Sequence, residues 1–192
     1  MVFPRLWDAS NDQGHADYYA QFLGIGKVQD RQTGKVSYER EPDMADNFKF
    51  FFGYQINSMY FRYFMWNFAG KQNDVQGLGE RRNGNWISGI SFIDNARLGN
   101  QKLMPDSLND SKANNKYYLL PFILGILGIL YQSSKHQKDT LIVGLLFFFT
   151  GLAIVLYLNQ AGPQPRERDY AYVGSFYAFA IWIGLGFIQV KE

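Results

Sequence analysis

"LIVGLLFFFTGLAIVLYL", Leu141–Leu158, carries no charged residue and no proline. A hydrocarbon core of ~30 Å needs roughly 17 to 25 residues of α-helix at ~1.5 Å each, and the run meets that length. A buried helix of a soluble domain is the competing reading. Length and unbroken apolarity together favour a membrane helix.

Two neighbouring runs behave the same way. "GSFYAFAIWIGLGFIQV", Gly174–Val190, is uncharged and mixes aromatic with small residues, which let helices approach closely in lipid. "YYLLPFILGILGILY", Tyr117–Tyr131, is shorter and relies on Tyr117 and Tyr118 as an interfacial aromatic anchor. The expectation is an all-α membrane protein whose transmembrane region, 117–192, holds about three transmembrane helices near 117–132, 141–158 and 174–190.

Between the first two lies "QSSKHQKD", where Lys135 and Lys138 are nearly unopposed. The positive-inside rule makes 133–139 the cytoplasmic loop, so residues 1–116 and 159–173 lie outside. Arg166 and Arg168 also flank a helix, but Glu167 and Asp169 offset them. The expected location is a membrane, crossed several times.

Averaged over 192 residues, a net charge of +2 and 47% hydrophobic content would suit a soluble domain. The average misleads, because charge is concentrated in the first 116 residues and apolar runs in the final third. With no cysteine and only His15 and His136, neither a thiolate nor a zinc site is expected. No basic stripe is present, so nucleic acid is not an expected partner. The start, "MVFPRLWDASNDQGHADYY", lacks a basic segment followed by an apolar core and is not a secretory signal. Glycine-rich dinucleotide fingerprints, P-loops and nucleophile elbows are absent from the sequence, and no tightly bound cofactor is expected.

The outer region 1–116 is polar apart from "NFKFFFGYQINSMYFRYFMWNFAG", Asn47–Gly70. Asp43 or Asp46 is positioned to cap such a helix and Gly70 to end it. Lys49, Gln55, Asn57, Arg62 and Asn67 interrupt the aromatic run. A spanning helix would hide Arg62 near its centre at ~2.5 to 3.5 kcal/mol; a helix in the headgroup layer avoids that, and a packed helix of an outer domain is the third placement. The expectation is an aromatic amphipathic, interfacial helix over 47–70. The Gly- and Asn-rich stretch that follows reads as ordered outer loops with one short helix around Ile87–Leu98.

The densest ionic cluster is Pro165-Arg166-Glu167-Arg168-Asp169-Tyr170, at the entry to the last apolar run. Two guanidiniums at a membrane surface offer forked donors to phosphate oxygens, each charge-assisted bond contributing ~1.5 to 3 kcal/mol. The same residues also fit a self-neutralising salt-bridge knot with Tyr170 and Tyr172 as interfacial aromatics. "NGNWISG", Asn83–Gly89, sets Asn85 and Trp86 among turn residues, either as a sugar- or lipid-facing loop or as a turn into a packed helix. Asp8, Asp12, Asp17 and Asp94 are candidate general bases and equally suit caps or solvated positions.

"FFGYQINSMYFRYFMWNFAGKQNDVQG", "NGNWISGISFIDNARLG", "FFFTGLAIVLYLNQ" and "PRERDYAYVGSFYAFAIWIGLG" together resemble the central part of a bacterial family of large polytopic proteins. That family was long catalogued as of unknown function and is related to a eukaryotic endoplasmic-reticulum protein O-mannosyltransferase. The resemblance covers about Asp46 to Gly186. It implies part of a multi-helix, GT-C-type membrane glycosyltransferase that moves a sugar, usually mannose, from a polyprenyl-phosphate donor to protein Ser or Thr. The partners implied are membrane lipid, the lipid-linked sugar donor, a protein acceptor and further helices of a longer chain. Arg166 and Arg168 would bind the donor phosphate, supported by Glu167, Asp169, Tyr170 and Tyr172, and Trp86 and Asn85 would contact acceptor or sugar. Family members are several times longer, so the chain is expected to be a fragment lacking the first outer loop and its catalytic acid. The alternatives are a membrane transporter or lipid-translocating module, against which the uncharged runs count, and a non-catalytic membrane interaction domain.

Overall fold

The computed structural model describes residues 7, 14–31, 34–77, 79–162 and 166–191. α1 (His15–Leu23) runs between two left-handed glycines, Gly14 and Gly24, a conformation that carries no Cβ penalty there. Its buried face is Ala16, Tyr19, Ala20 and Leu23, the spacing of an amphipathic helix. A short antiparallel hairpin follows, β1 (Lys27–Gln29) against β2 (Val36–Tyr38). Asp17 ties it to α1: its carboxylate accepts from the Tyr38 hydroxyl at 2.6 Å and pairs with Lys27 at 2.7 Å.

The aromatic segment is one helical rod made of α2 (Met44–Phe50), a π-helical stretch Phe51–Phe61 and α3 (Arg62–Phe68). Both acids at its start are used. The Asp43 carboxylate accepts from the Asp46 N–H at 2.9 Å and the Asp46 carboxylate from the Asp43 N–H at 3.1 Å, a reciprocal capping box. At the other end Gly70 has φ 137°, and a Cβ there would sit 2.3 Å from the Asn115 carbonyl oxygen. Only glycine fits that turn.

The rod differs from the amphipathic helix expected over 47–70. Tyr60, Tyr63, Phe64, Met65, Trp66 and Phe68 are all buried, because rings from other elements surround them. Phe64 alone lies within 6.3 Å, centroid to centroid, of Phe122, Phe147, Phe176 and Phe179. A packed core helix therefore describes it, with Phe48 and Phe52 left exposed near its start.

Beyond the rod, buried amide side chains order the loops. The Asn73 side chain accepts from the Gly84 N–H at 3.0 Å and donates to the Arg82 carbonyl at 2.9 Å, which satisfies backbone groups that no ladder reaches. α4 (Ser91–Leu98) and the one-turn α5 (Asp106–Asn109) complete this region.

The remaining elements are α6 (Leu120–Lys135), α7 (Gln137–Phe149), α8 (Leu152–Leu158) and α9 (Val173–Lys191). α6 and α9 meet backbone to backbone: a Cβ on Gly128 would lie 1.7 Å from the Trp182 carbonyl oxygen, and one on Gly186 would lie 1.9 Å from that of Leu124. Gly125 is covered instead by the Phe179 ring, and because Phe64 of the rod meets both Phe122 and Phe176, near the starts of α6 and α9, the two helices run in one direction. The contact is the close approach that small residues permit, and Trp182 adds a hydrogen bond from Nε1 to Gln132 Oε1 at 2.7 Å.

Two helical stretches among the described residues, Gln137–Leu158 and Asp169–Lys191, are long and apolar enough to cross a membrane. The third expected helix falls short. Tyr118 and Leu119 take left-handed φ values of 53° and 60°, which breaks the chain just before Leu120 and leaves α6 with 16 residues, about 24 Å at 1.5 Å per residue. α7 buries none of its residues. The rod lies across the end of the bundle where α6 and α9 begin and α8 finishes: Gln55 donates to Asn159 and to the Gln160 carbonyl, and Tyr60 meets Tyr172 and Ser175.

Candidate functional site

An arginine inside an aromatic helix needs an acceptor, and Arg62 finds it 105 residues away. Its Nη1 and Nη2 donate to Glu167 Oε1 and Oε2 at 3.0 and 2.7 Å, a two-pronged pairing that matches the planar fork of a guanidinium. Arg62 also donates through Nε to the Ser58 carbonyl and through Nη1 to that of Gly84, each at 2.9 Å. Glu167 accepts in addition from the Tyr63 hydroxyl and from the Gly77 N–H at 3.1 Å. Burial would raise the Glu167 carboxyl, but the donors from Arg62, Tyr63 and Gly77 outweigh it and hold its pKa below the usual carboxylate range. One carboxylate thus ties together the rod, the loop after it and the loop before α9.

Beside this knot opens a cleft of ≈ 390 Å³, within the size range of small-molecule sites. The rod lines one wall with Tyr54, Asn57, Ser58, Phe61 and Arg62, the following loops another with Gly77, Asn85 and Trp86, and Arg166 and Glu167 close it. Arg97 of α4 reaches in, its guanidinium 3.7 Å from the Trp86 ring centroid and donating to the Trp86 carbonyl. Stacking of this kind suits arginine. Burial lowers the Arg97 pKa, with Asp94 working the other way, yet a guanidinium stays charged at neutral pH. Its Nε is buried with no acceptor.

The cleft therefore brings together Arg166, Glu167, Asn85 and Trp86 from among the residues the sequence singles out, and leaves others aside. Arg166 is exposed and donates to the Tyr170 hydroxyl at 3.3 Å. Arg168 does not line the cleft; its backbone N–H donates to the Tyr63 hydroxyl at 3.3 Å and its Nε is buried without an acceptor. The expected division, with Glu167 and Asp169 holding the two arginines, is corrected: among the described residues Glu167 pairs with Arg62, and neither acid pairs with Arg166 or Arg168. Tyr172 is a core residue with no exposure, packed against Tyr60 and Tyr63 rather than at an interface, while Tyr170 is exposed.

The two candidate bases among the described residues, Asp17 and Asp94, take structural roles. Asp17 is bound to Lys27 and Tyr38. Asp94 is buried and accepts from the Ser88 N–H and hydroxyl and the Gly89 N–H at 2.8 to 3.0 Å. Asp8, Asp12 and Pro165 lie outside the described residues. Glu167 is the one carboxylate among the described residues lining the cleft, and four donors make it a weak base. The arrangement can hold an anion and a polar ring; it offers no free general base.

Sequence reasoning missed Arg62, Tyr63 and Arg97 as site residues. Arg62 did carry a signal, since a cation in such company requires a partner, but nothing local points to Glu167.

Residues 1–52 match a family described as of unknown function (DUF8416). The match takes in α1, the hairpin and α2 and stops short of Arg62. No curated protein and no solved structure matches the chain.

Proposed function

We propose that the chain is part of an integral-membrane glycosyltransferase that holds the phosphate and sugar of a polyprenyl-phosphate donor, mannose by resemblance, for transfer to protein Ser or Thr. The observation that carries this reading is the cleft, which sets the guanidiniums of Arg166 and Arg97 beside Trp86 and Asn85 at the end of the bundle where α6 and α9 begin. Guanidiniums suit phosphate oxygens and an indole suits the apolar face of a sugar ring. The two long apolar stretches support an integral-membrane setting. The orientation proposed from Lys135 and Lys138 has residues 1–116 and 159–173 outside and 133–139 cytoplasmic, and the bacterial inner membrane is the location proposed from the resemblance. Glu167 is committed to Arg62 and is not proposed as the base that activates the acceptor hydroxyl.

The test substitutes Arg166→Ala, Arg97→Ala and Arg168→Ala singly in a full-length parent and measures affinity for the lipid-linked sugar and its transfer. Losing one charge-assisted bond should weaken donor binding roughly ten- to a hundredfold for the first two and leave it nearly unchanged for Arg168. Unaltered binding and transfer in both cleft variants would sink the assignment.

A further inference from the structure

The turn at 88–90 is held by hydrogen bonds and leads into α4, where Phe92 stands exposed among the described residues. The turn's three N–H groups are all paired: Asp94 accepts from those of Ser88 and Gly89, and the Ile90 N–H donates to the Ser88 hydroxyl at 3.0 Å. The Tyr118 N–H donates to the Ser88 carbonyl at 2.9 Å, which pins the loop two residues from the start of α6. Gly89 is clamped there, since a Cβ would meet Lys116 Cβ at 2.9 Å and the Tyr118 ring at 3.1 Å. Next to this clamp Ile90 is 37% and Phe92 86% exposed, alongside half-exposed Tyr117 and Tyr118. An exposed phenylalanine on a rigid support beside interfacial tyrosines is how membrane-facing edges are built.

Charge completes the pattern. A second pocket, ≈ 440 Å³, adjoins the clamp and is lined by Lys102, Lys116, Ser91, Asn114 and the carboxylate of Asp94. The Asp94 carboxylate is committed to Ser88 and Gly89, which leaves Lys102 and Lys116 as the cations of the lining. Cations beside an apolar edge at a bilayer boundary complement anionic headgroups.

We infer that Ile90 and Phe92 seat in the outer headgroup layer of the same bilayer, with Lys102 and Lys116 on the phosphate of an anionic phospholipid. The inference rests on the reading that α6, α7 and α9 lie in that bilayer. It makes α4 a membrane-docked element and fixes the height of Arg97, four residues beyond Ile93, above the lipid surface.

The chain has no cysteine, so nitroxide labels report single sites. The full chain carrying Phe92→Cys, Leu145→Cys or Asp110→Cys is labelled in phosphatidylcholine vesicles with and without phosphatidylglycerol, and collision with oxygen is compared with collision with a water-soluble nickel chelate. Phe92 is so exposed that the substitution leaves packing intact. The Phe92 label should collide severalfold more with oxygen than with the chelate, as the Leu145 label on α7 does, while the Asp110 label behaves as in water. Phosphatidylglycerol should draw the Phe92 label deeper, and Lys102→Gln with Lys116→Gln should abolish that response. A water-like Phe92 label beside a lipid-like Leu145 label overturns the inference and leaves the membrane reading standing. A water-like Leu145 label overturns both, and a lipid-like Phe92 label indifferent to phosphatidylglycerol overturns the headgroup assignment.

Discussion

Removing Arg62 leaves Glu167 with the Tyr63 hydroxyl and the Gly77 N–H as its donors, a carboxylate too buried for water to compensate fully. Breaking a buried pair from one side costs about 3–5 kcal/mol. The two side chains are 11% and 23% exposed, so the lower end, about 3 kcal/mol, applies to Arg62→Met, which keeps the aliphatic volume. Glu167→Gln keeps the shape but presents one carbonyl oxygen where two charged oxygens stood, and it leaves Arg62 with the Ser58 and Gly84 carbonyls. The double variant has neither orphaned charge. It should be no less stable than Arg62→Met alone, so if Glu167→Gln by itself costs about 2–3 kcal/mol the coupling is at least that large. Equilibrium unfolding in detergent micelles, followed through Trp66, whose ring centroid lies 4.8 Å from the Arg62 guanidinium, reads all four corners of the cycle. Additivity within about 0.5 kcal/mol would refute the pairing as an energetic unit.

Acid should act through the same carboxylate. The Glu167 pKa is lowered by folding, so its stabilisation is fully present above the unfolded value near 4.5 and is lost as pH falls through the folded value; an unfolding series below pH 5 should show this loss in the parent and not in Glu167→Gln. Gly128→Leu and Gly186→Leu place side chains where backbone oxygens already stand and should destabilise by several kcal/mol, about 3 or more, whereas Gly144→Leu on α7 meets nothing within 4 Å and should be neutral in the same melts. Ser134, in the last turn of α6, and Asp110, in the loop region ahead of α6, are both exposed, and an impermeant thiol reagent should label Asp110→Cys but not Ser134→Cys from outside; the reverse would invert the proposed topology.

Length and apolarity made the runs at 141–158 and 174–190 readable as helices, because in them every residue argues the same way. Asp43, Asp46 and Gly70 were readable as ends for a local reason, since caps and turns depend on a few adjacent residues. The rod's burial was not readable. Its composition equally fits a lipid interface and a protein core, and only the rings of Phe122, Phe147, Phe176 and Phe179 decide between them. α1 escaped notice because its buried face includes two alanines and a tyrosine rather than an aliphatic stripe. Half of the candidate site was legible: Arg166, Trp86 and Asn85 stand out as residue types in turn-rich loops. Arg62 with Glu167 and Arg97 with Trp86 were not, because each pair is defined by contacts between separate segments.

The chain from Gln137 to Leu158 is not one straight helix: it breaks at Thr150 and Gly151, where the Thr150 hydroxyl donates to the Leu146 carbonyl at 2.7 Å and a Cβ on Gly151 would meet the Tyr60 hydroxyl at 2.6 Å. In hydrocarbon an interrupted helix must satisfy its own backbone groups, and here the Thr150 and Gly151 N–H groups still find acceptors, the Leu146 and Phe148 carbonyls at 3.0 and 3.3 Å. The break makes α8 mechanically a part of the rod, to which Val155, Asn159 and Gln160 attach it. A shift of the rod along the bundle's end would be absorbed at this joint, leaving α7 and the loop at 133–139 where they are.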